Sequence, residues 1–202
     1  MDETSKVLKQ PAQISLHAPA VTPRDRAAIK AQQPRCIWLT GLSGAGKSTL
    51  ANALEVQLNQ RGLHTSLLDG DNLRQGLCRG LGMDAESRKE NIRRIAEVAR
   101  LMVDAGLIVI VAAISPFRAD RDAARQLFPQ GSFLEVYVNT PFEVCAERDP
   151  KGLYREARAG RIKHFTGLDS PYEAPLEPDC AINTDEVELA QACDRLLALL
   201  LG

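Results

Sequence analysis

Aromatic side chains are scarce in this chain: phenylalanine, tyrosine and tryptophan together make up 4% of it, with a single tryptophan. Platforms for stacking bases are therefore few, and each aromatic is worth locating. Charge of one sign is lacking too. Twenty-five lysines and arginines face 26 aspartates and glutamates, a formal net charge of −1, which argues against a dedicated nucleic-acid binder. Long apolar runs are absent. The longest, around 107–114, falls far short of the roughly 20 residues of a membrane-spanning helix. The opening MDETSKVLKQ has no apolar stretch of the kind a secretory signal carries, so a cytoplasmic protein with no membrane partner is expected. The five cysteines (Cys36, Cys78, Cys145, Cys180 and Cys193) are odd in number and none has CxxC spacing, which fits reduced core thiols better than disulfides or a zinc site.

What is present is ordinary globular material. A chain of 202 residues that is 45% hydrophobic and 25% charged can build one core, and is too apolar to be disordered throughout. Residues 1–34 carry Pro11, Pro19, Pro23 and Pro34 with no sustained periodicity, and read as a flexible tail with a short helix over 24–30. From residue 35 a single domain runs to 202. Its strands are expected at Cys36–Thr40, His64–Leu68, Leu107–Ala112 (taken as a central strand), Phe133–Val138 and Cys180–Ile182. Helices are expected between them: one carrying Leu50, Ala51, Leu54 and Leu58, and a long one carrying Ile92, Ile95, Ala99 and Met102. Others are read over 118–128, 141–148 and 186–201. Strands alternating with helices imply an α/β fold with a parallel sheet flanked by helices.

The sharpest motif is Gly41-Leu42-Ser43-Gly44-Ala45-Gly46-Lys47-Ser48, which meets G-x-x-x-x-G-K-[ST] at every fixed position and lies between an expected strand and an expected helix. Its glycines let the backbone curl so that successive N–H groups point at phosphate oxygens, and the following helix adds the positive end of its dipole. Lys47 would reach the β- and γ-phosphates and Ser48 would put its hydroxyl on Mg²⁺. A chance glycine-rich turn is the plain alternative, and the flanking elements speak against it. The guanine-reading Asn/Thr-Lys-x-Asp pattern is absent, which favours ATP. This is the P-loop NTPase/kinase fold.

Asp69-Gly70-Asp71 closes the second strand at the carboxyl edge, where ligands of open α/β sheets gather. Two carboxylates one glycine apart can serve a metal's water shell and a substrate hydroxyl separately, the division that phosphoryl transfer needs. They could equally be helix-capping aspartates in a polar turn. Basic residues cluster from Arg74 through Arg79, Arg88, Lys89, Arg93 and Arg94, and again from Arg148 through Lys151, Arg155, Arg158 and Arg161 to Lys163. Such runs are usually solvated helix faces. In a nearly neutral chain they also suit a kinase that holds two anions, and the second, punctuated by Gly152, Gly160 and Gly167, reads as a mobile basic lid.

Taken in order, several stretches resemble the adenylylsulfate kinase (APS kinase) family: WLTGLSGAGKST at 38–49, DGDNLR at 69–74, RKENIRR at 88–94, ISPFR at 114–118, DPKGLY at 149–154 and FTGLDSPYE at 165–173. The resemblance runs from about residue 21 to 183. It implies transfer of phosphate from ATP, with Mg²⁺, to the 3′-hydroxyl of adenosine 5′-phosphosulfate (APS), giving PAPS and ADP in sulfate assimilation. By motif position it places Gly41, Ser43, Gly44, Ala45, Gly46, Lys47, Ser48 and Thr49 at ATP, and Ser48 and, through water, Asp69 at the metal. Catalysis would rest on Lys47, Asp69, Asp71 and Lys151, with Asp69 on the magnesium water and Asp71 taking the acceptor proton, although the two carboxylates could share or swap these roles. APS would meet Asp71, Arg74, Met83, Arg88, Asn91, Ile114, Ser115, Lys151 and Phe165, with Phe165 against its adenine. The resemblance further implies a homodimer and a functional link to ATP sulfurylase.

Two positions depart from the family pattern. Met83 stands where phenylalanine usually forms the second face of the adenine clamp, and Ser87 replaces the usual aspartate before Arg88, which could loosen that arginine. Ser115 occupies a position phosphorylated in some members, but a serine before Pro116 is also an ordinary turn residue. Two rival readings stay open at this point. One is a kinase for another alcohol, such as gluconate or shikimate. The other is a nucleotide-binding module that no longer transfers phosphate, although Lys47, Asp69, Asp71 and Arg88 are all in place.

Overall fold

The computed structural model describes residues 19–202. Five strands, β1 (Cys36–Thr40), β2 (Thr65–Asp69), β3 (Ile108–Ala112), β4 (Phe133–Val138) and β5 (Cys180–Ile182), form one parallel sheet in the order β2-β3-β1-β4-β5. Every strand therefore ends at the same edge. The order reverses at β1, so the loops leaving β1, β2 and β3 converge on a topological switch point. The middle strand is β1; β3, expected to be central, is also interior, with a neighbour on each side. The boundaries expected for β2 and β3 shift by one residue, because His64 and Leu107 still belong to the turns that feed those strands.

β1 and β3 are buried at every residue, which is why they read as unbroken apolar runs rather than alternating ones. One face of the sheet (Ile37, Leu39, Ile110 and Val136) packs on Leu50, Leu54 and Leu58 of α2 (Lys47–Gln60) and on Leu196 and Leu200 of α8 (Leu189–Leu201). The other face (Cys36, Trp38, Val109, Val111 and Phe133) packs on Ile92, Ile95, Ala99 and Val103 of α4 (Ala85–Asp104). Met102, expected on that stripe, is only partly buried, and Val103 takes the inner position. Four further helices are short: α3 (Gly70–Leu73), α5 (Arg118–Arg125), α6 (Phe142–Arg148) and α7 (Leu153–Arg158). Helices α3 and α7, at four and six residues, carry too little periodicity to be expected from sequence.

Residues 1–18 of the expected tail lie outside the described residues. The rest of it contains the expected short helix. The helix α1 (Pro23–Lys30) starts at a capping box in which Thr22 and Asp25 satisfy each other's backbone N–H groups. It buries no side chain, and hydrogen bonds hold this stretch instead. Arg26 donates to the Asp104 carbonyl, Gln32 donates to the carbonyls of His64 and Gly106, and Gln32 accepts from the His64 N–H. All five cysteines are free, four of them buried. Among the described residues no helix is long and apolar enough to cross a membrane.

Leu54 sits at the centre of the first face with no exposed surface. Leu54→Ala should lower the unfolding free energy by about 2–5 kcal/mol in a urea titration. A loss below about 1 kcal/mol would mean that α2 and the sheet can close over the gap.

Candidate active site

The chain leaves β1 at Gly41 and re-enters regular structure at Lys47, and the loop between is shaped by close contacts. A Cβ on Gly44 would lie 2.8 Å from the Cys145 carbonyl oxygen, and its φ of +77° already favours glycine. The loop's carbonyls are engaged from outside. Tyr154 donates to Ser43 O at 2.9 Å, while Thr140 and Thr184 donate to Ala45 O at 3.0 and 2.9 Å. Lys47 spans the turn from within, its Nζ donating to Gly41 O (2.9 Å) and Leu42 O (2.7 Å). That ammonium is buried, and desolvation pulls it from its ordinary value near 10.5 to about 8.

A cavity of about 730 Å³ opens beside this loop. On the loop side it is lined by Ser43, Gly44, Gly46, Lys47, Ser48 and Thr49. Gly41 and Ala45 do not line it. Gly41 contributes its carbonyl to Lys47, and Ala45 is buried with its carbonyl turned to the two threonines. All nine residues assigned to the acceptor line the cavity, as do Asp69 and Lys151.

The carboxylates do two things at once. Asp69 caps α3, accepting from the Asp71 N–H at 3.0 Å, and its other oxygen accepts from Ser48 Oγ at 2.6 Å. Capping and function are thus compatible here. Asp71 turns the other way and forms an ion pair with Lys151 from the loop before α7. Six basic residues (Lys47, Arg74, Arg88, Arg148, Lys151 and Lys163) and only these two carboxylates line the cavity. A strongly positive interior in a nearly neutral chain selects anionic ligands.

Arg88 is the most constrained of the six. It is buried, and its nitrogens donate to Met83 O, Thr166 Oγ1 and His164 O, all uncharged. Burial first, and then the nearby Arg74, push its pKa down, as expected for a cation that an anion would relieve. The Ser87 departure does not loosen it. Ser87 bonds Asp84 at the start of α4, and the three acceptors fix the guanidinium without residue 87. Asn91, also buried on the cavity wall, has a side-chain oxygen with no partner among the described residues, a polar atom waiting for a ligand group. Phe165 is buried and packs edge-on against Tyr154, with ring centroids 4.9 Å apart, whereas Met83 is half exposed at the rim.

Some expectations need correction. Of the basic clusters, Arg93 and Arg94 pair with Glu90, and Arg161 pairs with Glu156, so these are solvated faces. The glycine-punctuated lid is folded down, with Tyr154, Phe165 and Thr166 buried. Ser115 is not an open turn serine. Its hydroxyl is buried, accepts from Trp38 Nε1 at 3.1 Å and donates to the Ala113 carbonyl. Thr140, Thr184, Tyr154 and Thr166 were missed, because each acts through contacts far away in the chain. Tyr154 and Thr166 lie inside the stretches that carry the family resemblance, and Thr184 lies just beyond the end of β5, but none of these cues names a contact.

The comparisons with known proteins agree with this geometry. The family model for adenylylsulphate kinase matches residues 33–183. The adenylyl-sulfate kinase of Aeromonas hydrophila is 58% identical over 184 residues, covering 91% of this chain and 93% of that protein. That of Marinobacter nauticus is 55% identical over 184 residues, covering 91% and 92%. Among solved structures, the Mycobacterium tuberculosis APS kinase CysC in complex with AMPPNP and APS matches with a TM-score of 0.81 at 43% identity, covering 84% of this chain and 99% of that one.

The buried Lys47 makes stability depend on pH. Its folded pKa lies below its unfolded one, so the cost of burying the charge is fully present below pH 8 and is lost as pH rises from 8 to 10.5. Relative to Lys47→Met, the unmodified chain should gain roughly 2–3 kcal/mol across that window in denaturant titrations. A difference that stays flat with pH would contradict the buried ammonium.

Proposed function

The chain belongs to the adenylylsulphate kinase family, and from that premise we propose how this cavity transfers the γ-phosphate of ATP to the 3′-hydroxyl of APS, releasing ADP and PAPS. The observation that carries the reading is the pairing of a phosphate loop with a second anion site, built from Arg74, Arg88 and Asn91, around the same two carboxylates. A sugar-acid kinase needs no aromatic wall; this cavity has Phe165 on one side of its acceptor end.

ATP would lie with its phosphates on the loop backbone and Lys47. Arg148, Thr184, Val187 and Leu189 line the rest of that end and would meet the nucleoside. Ser48 and Asp69 suit Mg²⁺: two hard oxygen donors lie 2.6 Å apart beside the loop, and this ion takes few protein ligands besides substrate phosphates. When bound, it would neutralise charge on the β- and γ-phosphates. Asp71 then serves as the base. The acceptor 3′-oxygen attacks the γ-phosphorus, the bond to the ADP oxygen breaks, and the hydroxyl proton passes to the Asp71 carboxylate. Lys151, paired with Asp71 across the cavity, is placed to shift toward the transferring phosphate, which offers it more negative charge than the carboxylate does. Arg88 and Arg74 hold the phosphosulfate, the unpaired Asn91 Oδ1 accepts from an N–H or O–H of the nucleoside, and Phe165 packs on the adenine, with Met83 as a looser second face. Opening of the segment from 150 to 167 admits the substrates, hinged at glycines with positive φ such as Gly152 and Gly160. A cytoplasmic homodimer, with a catalytic domain from 35 to 202 and APS supplied by an ATP sulfurylase, completes this reading.

Steady-state ADP release with ATP, Mg²⁺ and APS, set against gluconate and shikimate, tests the assignment. Turnover with APS alone is expected. Turnover only with a sugar acid would overturn it, and tight nucleotide binding without ADP release would point to a binding module. Asp71→Asn should slow the chemical step by ~10²–10⁴-fold while leaving ATP affinity intact. Near-normal turnover would move the base to Asp69.

A further inference from the structure

The largest fully buried charged side chain among the described residues lies outside the cavity. Arg121 of α5 is 2% exposed and has all three guanidinium nitrogens engaged. Nε donates to Glu135 Oε1 of β4 at 2.6 Å, Nη1 to the Ser115 carbonyl at 2.7 Å, and Nη2 to the Glu173 carbonyl at 2.7 Å. Glu135 is itself buried and braced, with Arg125 3.6 Å from its other oxygen. A buried ion pair contributes little to stability compared with apolar residues of the same volume, so the two carbonyl bonds are the informative part.

Both carbonyls belong to segments that build the acceptor end. The first, 114–116, lines the cavity and turns through a left-handed φ of +41° at Ser115, a conformation that a non-glycine residue holds only when its surroundings impose it. It is pinned from three sides: Thr40 donates to Ile114 O at 2.7 Å, Trp38 to Ser115 Oγ, and Arg121 to Ser115 O. The second segment ends at Tyr172 and Glu173 and carries Phe165 and Thr166, the latter one of the acceptors holding Arg88. It is tied to the first by the Glu173 N–H on Pro116 O at 2.8 Å, and to β1 by the Tyr172 hydroxyl 3.0 Å from Thr40 Oγ1. A single planar fork thus joins two walls that come from opposite parts of the chain.

We propose that Arg121, held by Glu135, is a positioning residue for the acceptor: it sets the spacing between the Ile114–Pro116 wall and the wall carrying Phe165 and the Arg88 clamp, without touching substrate. The role rests on the APS reading above. It predicts a loss confined to APS, because the hydrogen bonds of Arg121 go to Glu135, Ser115 and Glu173 and none goes to the phosphate loop.

Two variants separate positioning from charge compensation. Arg121→Met combined with Glu135→Met removes both buried charges, and Arg121→Lys keeps the charge but loses the fork. Each is assayed for thermal melting, AMPPNP affinity, and kcat and KM for APS. A folded chain with a lowered melting point, because the Ser115 and Glu173 carbonyls lose their donor, and unchanged AMPPNP affinity are expected in the double variant, with KM for APS raised about 10–100-fold in both and kcat at saturating APS changed far less. If either folded variant has a KM for APS within about twofold of the parent, or loses AMPPNP affinity in equal measure, the proposal is overturned. Failure of both to fold would assign the pair to stability and overturn it too. The parent chain, run alongside, distinguishes the two levels. No turnover of APS by the parent defeats the functional reading, whereas normal turnover with unaltered variants defeats only the role of Arg121.

Discussion

An ammonium group kept out of water at the mouth of a tight backbone turn sets the conditions for everything around it. Charge is expensive to bury, and Lys47 is tolerated only because Gly41 O and Leu42 O accept from it at 2.9 and 2.7 Å. Those carbonyls can be there only if the loop is rigid. Its rigidity comes from a fully buried β1 on one side and α2 on the other, with Tyr154 holding the Ser43 carbonyl and Thr140 and Thr184 the Ala45 carbonyl from outside. Phosphate binding in such a site costs little rearrangement, because the donors are in place before the ligand arrives.

The acceptor end obeys the same logic with a different cation. Arg88 is buried among uncharged acceptors beside Arg74, so this end also gains when an anion enters, while the unpaired Asn91 oxygen calls for a ligand N–H or O–H. Between the two lie Asp69, bonded to the loop through Ser48, and Asp71, bonded to the opposite segment through Lys151. One short turn after β2 therefore touches both the phosphate loop and the segment facing it. Parallel strands ending at one edge make this convergence available without any long-range distortion of the sheet.

Much of this was legible beforehand, for identifiable reasons. Fully buried strands announce themselves as apolar runs, and the phosphate loop is a local motif whose residues act at fixed spacing. The acceptor residues were placed by resemblance of short stretches, and every one of them lines the cavity. Contacts between distant positions were not legible. Nothing at Arg121 or Glu135 marks them as partners across 14 residues of sequence, and the basic runs give no hint that Arg88 turns inward while Arg93 and Arg94 pair with Glu90. The short helix expected over 24–30 is present as α1, but the hydrogen bonds from Arg26 and Gln32 that tie it to the domain join distant positions and were not legible. Ser115 reads as an ordinary turn residue, and its burial and the hydrogen bond it accepts from Trp38 appear only in the fold.

The central claim is regiospecific: the cavity delivers the γ-phosphate of ATP to one hydroxyl of APS. Phosphorus NMR of the product formed from ATP and APS measures this directly. The account predicts a new phosphomonoester signal coupled to the ribose H3′, with the phosphosulfate retained and ADP formed in equal amount. Coupling to H2′, or release of inorganic phosphate with APS unchanged, would contradict it.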